Sequence, residues 1–217
     1  MEFGEAMTMG KWRFLTGGQK SEGIMDMNQS DHLEPLLDAL DALQRLLSRF
    51  GNRGVIIGGA AVGILGRARY TEDVDAMFLL SSEDLPRLLE MAKEEGIEPR
   101  IENAVDFARK SRVLLLRHTL TDTGIDISLG ALPFEEEMVE RSVLHEVDET
   151  LQLRLPTPED LIIMKAIAHR PKDLEDIRTI AEKYPNLDVR RIKKWVKAFG
   201  EALETPDLWN VVKPLLK

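Results

Sequence analysis

The stretch from Val55 to Leu80, VIIGGAAVGILGRARYTEDVDAMFLL, constrains this chain more than any other. Gly54-Val55-Ile56-Ile57 reads as a short buried strand, and Gly58-Gly59 come directly after it, before a helix over residues 60–65. Without side chains, the two glycines let a ligand's phosphate approach the backbone, and free N–H groups at a helix start favour an anion. A tight strand-to-helix turn asks for glycine on its own account, so the pair gains weight only from the acids further along the chain. After a polar linker, residues 74–80 read as a second strand, with Asp73 and Asp75 at its head. Side chains two apart on a strand share a side and stand about 6.6 Å apart along it. Two carboxylates aimed that way repel unless a cation lies between them, and hard oxygen ligands suit Mg²⁺ or Mn²⁺. The alternative is a solvated strand edge with two surface acids. The apolar run Met77 to Leu80 weighs against it.

A third acid, Asp126, sits in Gly124-Ile125-Asp126-Ile127-Ser128, where Ile125 and Ile127 take the opposite face. If this strand neighbours the one over 74–80, the three carboxylates form one cluster. Such a cluster can hold two divalent ions, activate an attacking hydroxyl and stabilise a departing pyrophosphate.

The remaining pattern places these motifs in an α+β fold. Leu33, Leu36, Leu37, Leu40, Leu43, Leu46 and Leu47 form one helical stripe, with Ser30 or Asp31 as its cap. Ser81 or Ser82 is expected to cap a helix reaching about Glu95. Residues 99–110 fit neither period, and 112–118 and 125–129 read as strands. A helix over 133–141 and a small hairpin within 144–155 come next. Beyond Leu155 only helices are expected, over 157–169, 172–183, 188–202 and 206–216. This divides the chain into a tail over 1–31, flexible or expression-derived, a mixed-sheet catalytic domain over 32–155 and a helical domain over 156–217. Trp12 and Phe14 are the tail's candidates for docking.

Composition removes several function classes. There is no cysteine, which excludes disulfides, thiolate zinc sites and a Cys nucleophile. The four histidines, His32, His118, His145 and His169, show no metal-ligand spacing. No G-x-S-x-G element or G-x-x-x-x-G-K-[ST] loop occurs. With 29 basic against 38 acidic residues the net charge is -9, which disfavours a protein that simply coats nucleic acid. The absence of a long apolar run and of a signal-peptide core predicts no membrane span and a cytoplasmic protein.

The order Gly58-Gly59, a spacer, Asp73-Val74-Asp75 and a later Asp126 resembles the nucleotidyltransferase superfamily. Arg67-x-Arg69-x-Thr71-x-Asp73-x-Asp75 is similar to its stand-alone microbial members, the AbiEii/AbiGii-type toxins and the antibiotic nucleotidyltransferases. Leu161-Ile162-Ile163-Met164-Lys165 followed by Arg170-x-Lys172-Asp173 is similar to the AbiEii pattern, although Lys172 stands where the toxins often carry arginine. The resemblance spans about residues 55–180.

It implies metal-dependent transfer of a nucleoside monophosphate from an NTP. Gly58 and Gly59 would hold the triphosphate, and Asp73, Asp75 and Asp126 would bind Mg²⁺ or Mn²⁺. Asp126 would also help deprotonate the acceptor. Lys165 would reach the triphosphate or, on the plainer reading, snorkel from a half-buried helix face. Arg67, Arg69, Thr71 and Arg170 would contact nucleotide, and Asp173 would position Lys165 or Arg170, or touch the acceptor. A toxin-like enzyme would modify RNA, such as a tRNA end, and have an antitoxin partner. Arg190, Arg191, Lys193, Lys194 and Lys197, on one expected helix, offer either a tRNA-facing patch or a solvated face. An antibiotic-type enzyme would take a small molecule. A nucleotide-binding protein that has lost turnover is the third reading.

Overall fold

Leucines spaced three and four apart fold Leu37–Arg49 into the first helix, α1, behind a 3₁₀ turn at Glu34–Leu36. Leu40, Leu43, Leu46 and Leu47 are completely buried, and each such side chain contributes roughly 1.5–3 kcal/mol. The computed structural model describes residues 33–217, plus the backbone pairing of Trp12–Arg13 with Glu22–Gly23. The Ser30 or Asp31 cap, the docking of Trp12 and Phe14, His32 and most of the 1–31 tail lie outside the described residues.

Five strands form the central sheet: β1 (Gly54–Ile57), β2 (Val74–Phe78), β3 (Ile97–Pro99), β4 (Val113–His118) and β5 (Thr123–Leu129). Their order is β1-β2-β5-β4-β3, and only β2 and β5 run parallel. Strand periodicity then divides the side chains. Val74, Ala76, Phe78, Ile125, Ile127, Leu114 and Leu116 are fully buried in the core that also holds α1. Asp75, Asp126 and Leu115 lie half-buried on the other face.

Between the strands stand α2 (Gly58–Leu65), α3 (Leu85–Glu94), α4 (Ala104–Ser111) and α5 (Pro133–Arg141). Helix α2 begins two residues before the sequence suggests. Neither Ser81 nor Ser82 caps α3. Asp84 takes the cap position, and its carboxylate accepts from the Ser81 backbone N–H (3.0 Å) and hydroxyl (2.9 Å), closing a turn ahead of the helix. The segment without a period splits into β3 and α4, which buries only Ala104 and Ala108. The hairpin of β6 (Val143–Glu146) and β7 (Gln152–Leu155) turns on Asp148, whose carboxylate accepts from Thr150 and Leu151 N–H at 2.7 and 2.9 Å.

Four helices complete the chain: α6 (Pro158–Ala168), α7 (Pro171–Lys183), α8 (Val189–Ala202) and α9 (Leu208–Val212). Thr157 caps α6, its hydroxyl accepting from Asp160 N–H at 3.3 Å. Leu161, Ile162, Ile163 and Ala166 of α6 are fully buried because α7 and α8 pack against it and α2 touches it. Arg191 of α8 is drawn inside, donating to Asp160 (2.6 Å) and to Glu137 of α5 (2.5 Å). Phe134, Trp195 and Phe199 stack beside it, with ring centroids 5.3 to 5.8 Å apart. Among the described residues no helix is long and apolar enough to cross a membrane.

His145 of β6 gives the fold an acid-sensitive point. It is only 9% exposed, and burial, with Lys183 nearby, lowers its pKa from 6.5 to about 4. The unfolded chain therefore binds this proton more readily than the folded one between those values. Stability is lost as pH falls from about 6.5 towards 4, by on the order of 3 kcal/mol. Melting curves of wild type and His145→Gln over pH 4–7.5 check this. The variant should keep a flatter acid limb, and parallel limbs would remove His145 as the cause.

Candidate active site

The parallel register sets Asp75 of β2 beside Asp126 of β5 as direct partners, with Ile57 of β1 on its other flank. Asp73 stands one residue before β2. The sheet thus brings the three expected carboxylates to one region, two of them in adjacent strands on the same face. Two glycines make the space. Gly58 has φ +68, and a Cβ there would come 1.9 Å from Asp75 Oδ2. The Gly59 N–H donates to the Asp75 carboxylate. The glycine pair read as a phosphate cradle is therefore also the seat of Asp75.

Gly124 plays the same part for Asp73 and was not singled out by sequence reasoning. A Cβ at Gly124 would lie 2.2 Å from Asp73 Oδ1 and 2.6 Å from Arg100 Nη1. Arg100 was also missed. It comes directly after β3, donates from Nη2 to Asp126 Oδ1 at 2.7 Å, and holds Nη1 3.9 Å from Asp73 Oδ1.

Burial raises the Asp75 pKa, and repulsion from Asp126 and Asp73 adds to it, against the pull of Lys165 and the Gly59 N–H. Burial likewise raises Asp126, and repulsion from Asp73 reinforces it although Arg100 opposes. Burial thus disfavours the ionised forms of Asp75 and Asp126, and their mutual nearness adds repulsion. Among the described residues no three acidic or imidazole side chains close into a cage for an ion in this conformation. The donor set still fits a hard divalent cation, being carboxylate oxygen alone on adjacent strands.

Beside the cluster opens a cleft of about 420 Å³ lined by Gly58, Gly59, Arg69, Tyr70, Thr71, Glu72, Asp73, Asp75, Lys165, Arg170 and Lys172. Thr71 donates to Asp73 O at 3.2 Å. Lys165 of α6 is only 5% exposed, with Nζ 3.2 Å from Asp173 Oδ1 and 2.9 Å from Asp176 Oδ2. Asp176 in turn accepts two bonds from Arg69, at 3.0 and 3.1 Å. Asp173, fully buried, accepts from Arg170 Nε (2.6 Å) and Nη2 (3.1 Å), and it holds both Lys165 and Arg170. Burial by itself would raise the Asp173 pKa, but the bonds from Arg170 and the charge of Lys165 prevail and leave it lowered.

Of the expected residues, Arg67 stands apart. Its side chain is 70% exposed and reaches Glu182 at 3.5 Å, away from the cleft. Asp176 was missed, though its place one turn after Asp173 on the same helix face was a usable signal.

A family model described as a nucleotidyltransferase of unknown function (DUF6036) matches residues 32–205. An antigenic nucleotidyltransferase-like protein from Paracoccidioides brasiliensis superposes with a TM-score of 0.51 at 18% identity, over 85% of this chain and 93% of that one. The antibiotic-resistance factor ANT(2'')-Ia gives 0.47 at 16% identity, over 83% and 95%. At such identities the likeness to the first is one of fold, and the second carries no weight. A search of curated proteins finds no match.

Proposed function

From its place in the DUF6036 family of nucleotidyltransferases, to which this chain belongs, we propose that it transfers a nucleoside monophosphate from an NTP to an acceptor hydroxyl with the help of Mg²⁺ or Mn²⁺. The observation that carries this reading is the pairing of Asp75 with Asp126 in adjacent parallel strands, with Asp73 beside them and a cleft lined by Arg69, Lys165, Arg170 and Lys172 alongside. Divalent ions held by Asp73, Asp75 and Asp126 would neutralise phosphate charge and lower the pKa of the attacking hydroxyl. Gly58 and Gly59, at the start of α2, receive the triphosphate. Lys165 donates to Asp173 and is ion-paired with Asp176, and it also lines the cleft, where its ammonium would meet a phosphate oxygen. Arg170, more than half exposed, and Arg69 add positive charge along the same wall. Asp126, its pKa raised, takes the acceptor's proton. In this reading residues 32–155 form the catalytic unit and 156–217 the helical unit that closes it.

Two acceptor classes divide on α8. Exposed Arg190, Lys193 and Lys197 support an RNA such as a tRNA end, and with it the toxin-like reading and its antitoxin partner. The net acidity and the internal pairing of Arg191 and Lys194 with Glu137 support a small hydroxyl-bearing molecule. Incubation with each labelled NTP, Mg²⁺, total tRNA and a panel of small alcohols should give a labelled product that EDTA abolishes. The labelled species identifies the acceptor class. Calorimetric NTP binding without any product would point instead to a binding protein that has lost turnover. No NTP binding with either metal would refute the proposal.

A further inference from the structure

Arg100 stands where the carboxylate cluster needs a cation. Its Nη2 lies 2.7 Å from Asp126 Oδ1 and its Nη1 3.9 Å from Asp73 Oδ1, so one planar guanidinium spans two of the three acids. The backbone is cut to admit it. Gly124 has no left-handed φ that would demand glycine, yet a Cβ there would strike both Asp73 Oδ1 (2.2 Å) and Arg100 Nη1 (2.6 Å). Space for this contact is what position 124 provides. Arg100 is also anchored, its backbone N–H donating to Leu115 O at 3.0 Å, directly beside Asp126 in the register. Its side chain is 35% exposed, so the guanidinium can leave towards solvent without unfolding anything. The cleft walled by Lys165 and Arg170 does not include Arg100 or Asp126, so this cation is not part of the triphosphate wall.

We propose that Arg100 is the resting counterion of the carboxylate cluster, a positioning residue that Asp126 and Asp73 hold until a divalent cation displaces it. This rests on the nucleotidyl-transfer reading. In this conformation Asp126 Oδ1 is taken by the guanidinium, and among the described residues no three-acid cage is closed. In the absence of an ion, Arg100 limits the repulsion among three acids. Once an ion takes their oxygens, the guanidinium is released towards solvent. Metal loading and the freeing of Arg100 are thus one event.

The competition is measurable without any turnover. Mn²⁺ alone is titrated into wild type, Arg100→Ala and Arg100→Lys, reading free Mn²⁺ by electron paramagnetic resonance, with circular dichroism verifying the fold. Arg100→Ala should bind Mn²⁺ roughly three- to tenfold tighter than wild type, because the ion no longer displaces a partly buried pair. Arg100→Lys should fall between them, since an ammonium keeps the charge and loses the fork. Equal or weaker binding by Arg100→Ala overturns the counterion role and leaves the transfer reading standing. If none of the three proteins binds Mn²⁺, the counterion role fails, while the transfer reading is decided separately by NTP binding in the presence of Mg²⁺ or Mn²⁺.

Discussion

Asp75→Asn should lower nucleotidyl transfer by about 10³-fold or more while leaving the metal-free protein at least as stable as wild type. The two halves of this expectation share one cause. Burial and the neighbouring Asp126 and Asp73 disfavour the ionised form of Asp75 in the fold. A carboxyl whose folded pKa is raised works against folding at neutral pH, and the deficit disappears as pH falls through the folded value. Asparagine keeps the shape and an oxygen for the Gly59 N–H, and removes the repelling charge. After screening by solvent the gain is about 1 kcal/mol or less, which is at most a few degrees in melting temperature. On the proposed mechanism the same change also takes the negative charge and one oxygen from the acid that pairs with Asp126. Mg²⁺ should therefore raise the melting temperature of wild type and not of the variant. Near-normal transfer by Asp75→Asn would remove Asp75 from the chemistry, and a clear loss of stability would show that its charge is better offset than the geometry implies.

That residue was readable in advance because strand periodicity is local. Asp73 and Asp75 need only a spacing of two and a buried continuation to be placed on one side, and Asp126 needs only isoleucines on both flanks. Arg100 was hidden for the opposite reason. Its strand, β3, is three residues long with only Ile97 buried, so no period exists to announce it. Its partners are 26 and 27 positions away. Gly124 looked like an ordinary turn residue, since the atoms it makes room for come from two other segments. The basic run on α8 was legible only in part. Helical geometry turns Arg191 inward to Asp160 and Glu137 and leaves Arg190, Lys193 and Lys197 exposed, and composition cannot see which face packs. Lys165 was open between a phosphate ligand and a snorkelling surface lysine; its buried, doubly paired ammonium speaks against the second and leaves the first a proposal.

Lys165→Met is the substitution on which they diverge most. A snorkelling lysine lies along an apolar surface with its ammonium in water, and methionine replaces it at little cost. Here the ammonium itself is inside, between Asp173, which is completely buried, and Asp176, which is nearly so. Removing it leaves two carboxylates with only Arg170 and Arg69 to hold them, and breaking such a buried network costs about 3–5 kcal/mol. Because two arginines remain, the lower end is expected, near 3 kcal/mol, seen as a shift of the urea midpoint with an unchanged slope. The loss should shrink at acid pH, because wild type itself gives up the stability tied to the lowered Asp173 carboxyl as pH falls through its folded value. Lys165→Arg should not restore wild-type stability, since a planar fork cannot reach two carboxylates through the point that one ammonium fills. NTP affinity supplies the functional half. A folded Lys165→Met that binds NTP as wild type does would confine Lys165 to holding α6 against α7. A variant as stable as wild type would return it to the snorkelling reading.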